Sequence, residues 1–180
     1  LRPLNWQITG TTRSADKALK LIKSGINCRI VPEQDITHDL QTATHLLTSA
    51  APTEQGDPFL QTHRHNLEKI ADQLEWVGYL STTGVYGGGW VDEDTTLTPA
   101  TKRGKARVKA EAQWIDTAQE LGLNLKIFRL AGIYGPGRGP FAKVRAGTAR
   151  RIIKENQVFS RIHVEDIAQI LLASINRPKS

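Results

Sequence analysis

The chain has 180 residues, 39% of them apolar and 23% charged, and a formal net charge of +6. That length builds one domain with a real core, and the composition is that of an ordinary globular protein rather than a disordered one. No stretch approaches the roughly 18 consecutive apolar residues of a membrane span, the opening LRPLNWQITG lacks the apolar run of a secretory signal, and the single cysteine, Cys28, excludes an internal disulfide.

Cys28 sits in an apolar run and reads as a small buried hydrophobe; a reducing, cytoplasmic setting fits it. The positive charge gathers at residues 102–109 and 138–154 and favours anionic partners. Two solvated faces are the plain reading, and a phosphate-bearing small ligand the functional one. Aromatic residues do not interleave with the basic ones, which argues against a stacking platform for nucleic acid.

In chain order, residues 6–9 read as a short strand ending at Gly10. Ser14 and Asp16 cap a helix over 15–24, with Leu19 and Ile22 on one face, and Gly25 closes it. A second strand covers 28–31 and stops at Pro32; 46–48 belongs to a third. Residues 58–74 form a helix with Phe59, His63, Leu67, Ile70 and Leu74 at helical spacing. Residues 76–80 are a fourth strand and 87–99 a loop. A long helix over 101–121 turns Val108, Ala112 and Ile115 inward and ends at Gly122. A fifth strand covers 125–130, a short one 158–162, and a last helix 163–175. Strands alternating with helices imply parallel pairing, hence a single α/β domain over 1–180 with a doubly wound, Rossmann-like sheet.

Residues 80–87, LSTTGVYG, end the fourth strand with hydroxyls and a tyrosine in a glycine turn. The helix that follows carries Arg103, Arg107 and Glu111 at i, i+4, i+8. This order resembles the extended short-chain dehydrogenase/reductases, the NAD-dependent epimerase/dehydratase family. The resemblance implies a strand-end hydroxyl that orients substrate, here Thr82, and a Tyr-x-x-x-Lys pair, whose positions here read Arg103 and Arg107. An arginine cannot do the tyrosine's work: a guanidinium keeps its proton far above neutral pH, so deprotonating it at pH 7 costs roughly 8 kcal/mol, and general acid/base catalysis needs a group titrating near the working pH. Arg107 could supply the lysine's charge. Tyr86 is the obvious substitute acid/base, with substrate packing as its plainer role. Thr82, Tyr86, Arg103 and Arg107 are the candidate catalytic residues.

The same resemblance implies the cofactor contacts. Thr11, Thr12, Arg13 and Ser14 match the end of the strand where the adenosine ribose sits. An arginine and a serine there, in place of the acid that binds a ribose 2′-hydroxyl, suit a 2′-phosphate, so NADP is preferred over NAD. Asp35 and Ile36 match the pair bordering adenine, and Ser49, Ala50 and Ala51 a small-residue strand exit. Leu130 and Gly132, within RLAGIYGPG, match the nicotinamide side; Tyr134 and Arg161 match the substrate side. His163 reads as a capping or core histidine, and no metal site is expected.

One element of the family pattern is absent. Its G-x-x-G-x-x-G turn belongs to a strand ahead of residue 6. The expectation is therefore a sheet missing its first strand, in a chain that is a fragment of a longer protein. The expected function is an oxidoreductase or epimerase acting on a sugar-like or nucleotide-linked, anionic small molecule with non-standard acid/base residues. The alternative is a non-catalytic NADP-binding regulatory or sensor protein. A homodimer through the helix at 101–121 is also expected.

Overall fold

The computed structural model describes residues 6–150, 153 and 159–177. The strands are β1 (Thr9–Thr12), β2 (Asn27–Ile30), β3 (His45–Thr48), β4 (Trp76–Thr82), β5 (Leu125–Leu130), β6 (Gly132–Tyr134) and β7 (Arg161–His163). The helices are α1 (Ala15–Lys23), α2 (Thr37–Gln41), α3 (Pro58–Ile70), α4 (Lys102–Leu121), α5 (Pro140–Arg145) and α6 (Val164–Asn176). All the strand pairs are parallel: β1 with β2, then β3-β4-β5 in that order, then β6 with β7. The expected α/β architecture with parallel pairing is therefore present. β1 and β3 do not pair with each other; a wide cleft lies between them.

Local chemistry explains the boundaries. Ser14 caps α1 by accepting the Lys17 N–H at 3.4 Å. Asp57 caps α3 by accepting the Phe59 and Leu60 N–H groups at 2.9 and 3.1 Å. Gly122 ends α4 at φ 66°, a left-handed conformation that costs glycine nothing. His163 is the cap of α6 rather than its first residue. Of the predicted strand at 158–162, residue 158 lies outside the described residues, and the strand found there is β7. α2, β6 and α5 were not anticipated.

The core lies between β3-β4-β5 and the helices α2, α3 and α4. Leu67, Val77, Tyr79, Ala110 and Trp114 are fully buried there, with Ile36, Leu40 and Ile70 beside them. Three packing expectations need correction. α4 turns Gly104, Ala110, Glu111, Trp114 and Thr117 inward, roughly a third of a turn from the predicted Val108, Ala112 and Ile115 stripe. Ala112 and Ile115 are exposed because Trp114 fits against Tyr79 and Phe59, and Glu111 finds a half-buried cationic partner in Arg129. On α1, Leu19 and Ile22 are exposed, and only Ala18 is buried. Cys28 is half-buried, not buried.

Candidate functional site

Nine residues expected to meet a cofactor come together. Thr11, Thr12, Arg13 and Ser14 from the end of β1, Asp35 and Ile36 from the turn after β2, and Ser49, Ala50 and Ala51 from the exit of β3 all line one cleft of about 2400 Å³. The carboxyl ends of parallel strands are where an open α/β sheet binds ligands. Within the cleft the roles differ. Arg13 is exposed and contributes a charge. Ser14 spends its hydroxyl on the α1 cap. The Asp35 carboxylate accepts both the hydroxyl and the N–H of Thr37, at 2.7 and 3.0 Å; these hydrogen bonds hold its pKa below the usual carboxylate range. Ile36 is 5% exposed and belongs to the core, so it can offer a ligand no more than an apolar floor.

Thr82, Tyr86, Arg103, Leu130, Gly132, Tyr134 and Arg161 do not line this cleft. Thr82 ends β4 beside Leu130 of β5 and accepts the Gly84 N–H at 3.2 Å. That turn meets the start of α4 closely: a Cβ on Gly104 would lie 2.6 Å from the Gly84 carbonyl oxygen. Arg103 is exposed and makes no hydrogen bond or ion pair with the described residues. Arg107 is the link between the two regions. Its Nη1 donates to the Leu80 carbonyl at 2.9 Å, the Tyr79 hydroxyl at 3.0 Å and the Ala50 carbonyl at 3.4 Å. Tyr79 thus places a phenol beside Arg107, which sequence reasoning missed. Burial pushes its pKa up to about 12 despite the nearby cation, so at neutral pH it keeps its proton.

A second cluster went unseen in the sequence. Glu111, 1% exposed, accepts from Ser81 and from Arg129 at 3.0 Å. Arg129 also donates to the Tyr86 hydroxyl at 2.8 Å, and Tyr86 donates to the Asp92 carbonyl at 2.8 Å. Burial works against the Arg129 charge, but hydrogen bonds to Glu111 and Tyr86 outweigh it and raise its pKa. The helical repeat of Glu111 with Arg107 was the available signal. On β6 and β7, Arg161 lies against Gly132, where a Cβ would approach Nη1 to 2.5 Å, and over the Phe159 ring at 5.5 Å. Tyr134 sits edge-on to His163, ring centroids 5.0 Å apart.

Solved structures identify the architecture. The chain superposes on UDP-glucuronic acid 4-epimerase from Bacillus cereus, a structure containing UDP-glucuronic acid and NAD, with a TM-score of 0.70 and 15% identity over 97% of this chain and 66% of that one. It has the Rossmann-like epimerase/dehydratase fold. Within that fold, a functionally unknown conserved protein from Silicibacter pomeroyi is 51% identical with a TM-score of 0.90, over 98% of this chain and 62% of its own. Protein YeeZ of Escherichia coli K12 is 30% identical over 187 residues, which is 97% of this chain and 66% of that protein. The chain thus spans a little under two thirds of each of these three proteins. No protein-family profile matches it. No helix among the described residues is long and apolar enough to cross a membrane.

Proposed function

We propose that this chain binds a nicotinamide dinucleotide in the cleft between β1 and β3, as a single-domain part of an epimerase/dehydratase-type protein of the short-chain dehydrogenase/reductase kind. The activity we infer is that of an oxidoreductase or epimerase on a sugar-like or nucleotide-linked small molecule, with no nucleic-acid or membrane partner. The carrying observation is the convergence of nine strand-end residues on one cleft. The donor set fits the ligand: an exposed guanidinium at a strand end, a hydroxyl pair at Thr11 and Thr12, and small side chains at 49–51 that let a flat group approach the backbone.

Arg13 would hold a ribose 2′-phosphate, which favours NADP over NAD. Ser49, Ala50 and Ala51 would border the cofactor, held in place through Arg107. Thr82 would orient a substrate oxygen, and Arg161 with Tyr134 would meet its anionic end. The bound cofactor would supply hydride transfer. The single cysteine suits a reducing cytoplasm, and the exposed Ala112 and Ile115 of α4 give a homodimer a face to use.

A second reading has its own support. Tyr86 has its proton committed to Asp92 and its oxygen to Arg129, and Arg107 is spent on the Tyr79 hydroxyl and two backbone carbonyls. A protein that binds NADP as a sensor or regulator, without turnover, fits those facts. Calorimetry of the chain with NADP and NAD tests both: NADP should bind about tenfold more tightly, the worth of one charge-assisted phosphate contact, and Arg13→Ala should erase the preference. Binding of neither nucleotide would overturn the proposal. Hydride turnover with NADPH over a sugar-nucleotide panel then separates enzyme from sensor.

A further inference from the structure

Arg129 stands on β5 opposite Ser81 of β4, and its guanidinium is engaged along its whole edge. Nε and Nη2 meet Glu111 at 3.2 and 3.0 Å. Nη1 donates to the Tyr86 hydroxyl at 2.8 Å and the Glu93 carbonyl at 3.2 Å. The guanidinium carbon lies 5.3 Å from the Tyr86 ring centroid, and Tyr86 donates onward to the Asp92 carbonyl. Glu111 is buried with partners at both oxygens, the condition under which a carboxylate tolerates loss of water.

The sheet itself does not require this cluster, because β4 and β5 are joined in register through their backbones over Val77–Thr82. The outward arm of the cluster ends instead on the loop of residues 87–98. The Gly87 N–H donates to Thr98 Oγ1 at 3.1 Å and closes the mouth of that loop; Arg129 and Tyr86 hold its far side at Asp92 and Glu93. Between these two anchors Trp90 is 99% exposed, carried on Gly88 and Gly89, both at positive φ. Inside the loop, Asp92 and Thr95 close a local turn, the Asp92 N–H donating to Thr95 Oγ1 at 3.0 Å and the Thr95 hydroxyl to the Asp92 carboxylate at 2.6 Å. The glycines and the bare indole add nothing that ties this turn to the sheet; the two anchors do that.

We propose that Arg129, with Glu111 as its buried counter-ion, is a positioning residue that fixes the Tyr86 phenol and holds the 87–98 loop beside Thr82, shaping the substrate end of the site. The loop-ordering part stands on this geometry alone. The substrate part rests on the function proposed above. Tyr86 is then a latch for the loop, and the proton on its hydroxyl belongs to a backbone carbonyl.

Amide hydrogen exchange on the whole chain tests it, with Tyr86→Phe, which leaves the Arg129–Glu111 pair intact, and Arg129→Lys, which keeps the charge and loses the fork. Amides of residues 90–95 should exchange at least about tenfold faster in both variants, as expected when charge-assisted anchors are lost, while those of β4 and α4 keep wild-type rates. Trp90 emission, isolated by subtracting a Trp90→Phe control, should change in parallel. UDP-glucose, used as a probe, should bind about tenfold more weakly, with NADP affinity unchanged. Unaltered loop exchange in both variants, or equal weakening of both ligands, would overturn the proposal. Failure of UDP-glucose to bind the wild-type chain would sink the substrate reading instead, and the exchange data would still decide the role of Arg129.

Discussion

Arg107 and Ala50 lie on different elements and are joined through one guanidinium arm, which also holds the Leu80 carbonyl and the Tyr79 hydroxyl. Arg107 is thus a staple between the exit of β3 and the end of β4. Three oxygens share one nitrogen, so its removal leaves a buried phenol and two carbonyls short of a donor.

Arg107→Ala should therefore lower stability by about 1–3 kcal/mol and loosen the 49–51 segment, weakening dinucleotide binding several-fold. Arg107→Lys, which keeps one donor and the charge, should recover most of the stability but not all three contacts. Urea unfolding and nucleotide titration of the two variants measure this. Equal stability of Arg107→Ala and wild type would show that the staple carries no load.

Gly104 lets α4 start against the Thr82–Gly84 turn. An added Cβ would stand 2.6 Å from the Gly84 carbonyl and 2.9 Å from Pro99 Cβ, one contact being backbone that cannot swing aside. Although alanine is the better helix former, Gly104→Ala should cost about 1–3 kcal/mol through overpacking and displace the Thr82 hydroxyl. A rise in melting temperature for Gly104→Ala would mean that helix propensity outweighs the clash.

Much of this was legible before the structure. The strands expected at 76–80 and 125–130, found as β4 and β5, are short apolar runs bounded by turn residues, and the cap at Ser14 is local chemistry. The nine cleft residues were singled out by the resemblance, and they lie together because strand ends in a parallel sheet converge whatever their side chains. Long-range pairing was not. A periodicity argument treats Glu111 as solvent-facing, since nothing near it in sequence reveals Arg129, 18 residues on. Once that pair forms, the face of α4 rotates with it. Ile36 reads as a ligand contact from its motif and does line the cleft, but its place in the core beside Leu40 was not legible. Tyr79 is invisible as a neighbour of Arg107 because only β4 and α4 together create the contact.

Asp57 is fully buried; one carboxylate oxygen caps α3 and the other, Oδ2, has no hydrogen-bond partner among the described residues. Burial raises its pKa above the usual carboxylate value. The native state thus holds this proton more tightly than the unfolded chain, so the contribution of Asp57 is fullest below its unfolded pKa of about 4 and is lost as pH rises through the higher folded value. Asp57→Asn keeps the cap and removes the charge. It should match or exceed wild-type stability at pH 7 and lose that advantage on acidification. Asp57→Ala should cost about 1–2 kcal/mol at every pH. An Asn variant as unstable as the Ala variant at pH 7 would contradict this.

His45 opens β3 with Trp6 edge-on at 4.5 Å and Trp76 at 6.5 Å. Burial lowers its pKa, against a smaller opposing pull from Glu75; burial lowers that of His63 in the same direction. For a base, the sign runs opposite to Asp57. The native state disfavours the imidazolium, so the unfolded chain takes up protons first. Stability is full above the unfolded value of about 6.5 and declines as pH falls from there toward the depressed folded value. Denaturation midpoints should therefore drop between about pH 7 and 5, and His45→Gln, which cannot be protonated, should flatten that slope while leaving the His63 share. A nucleotide that binds only the native state should raise the midpoints at every pH, and because His45 and His63 both line the cleft, its phosphates should also favour their charged forms and shallow the slope. An unchanged slope in His45→Gln would assign the acid sensitivity elsewhere.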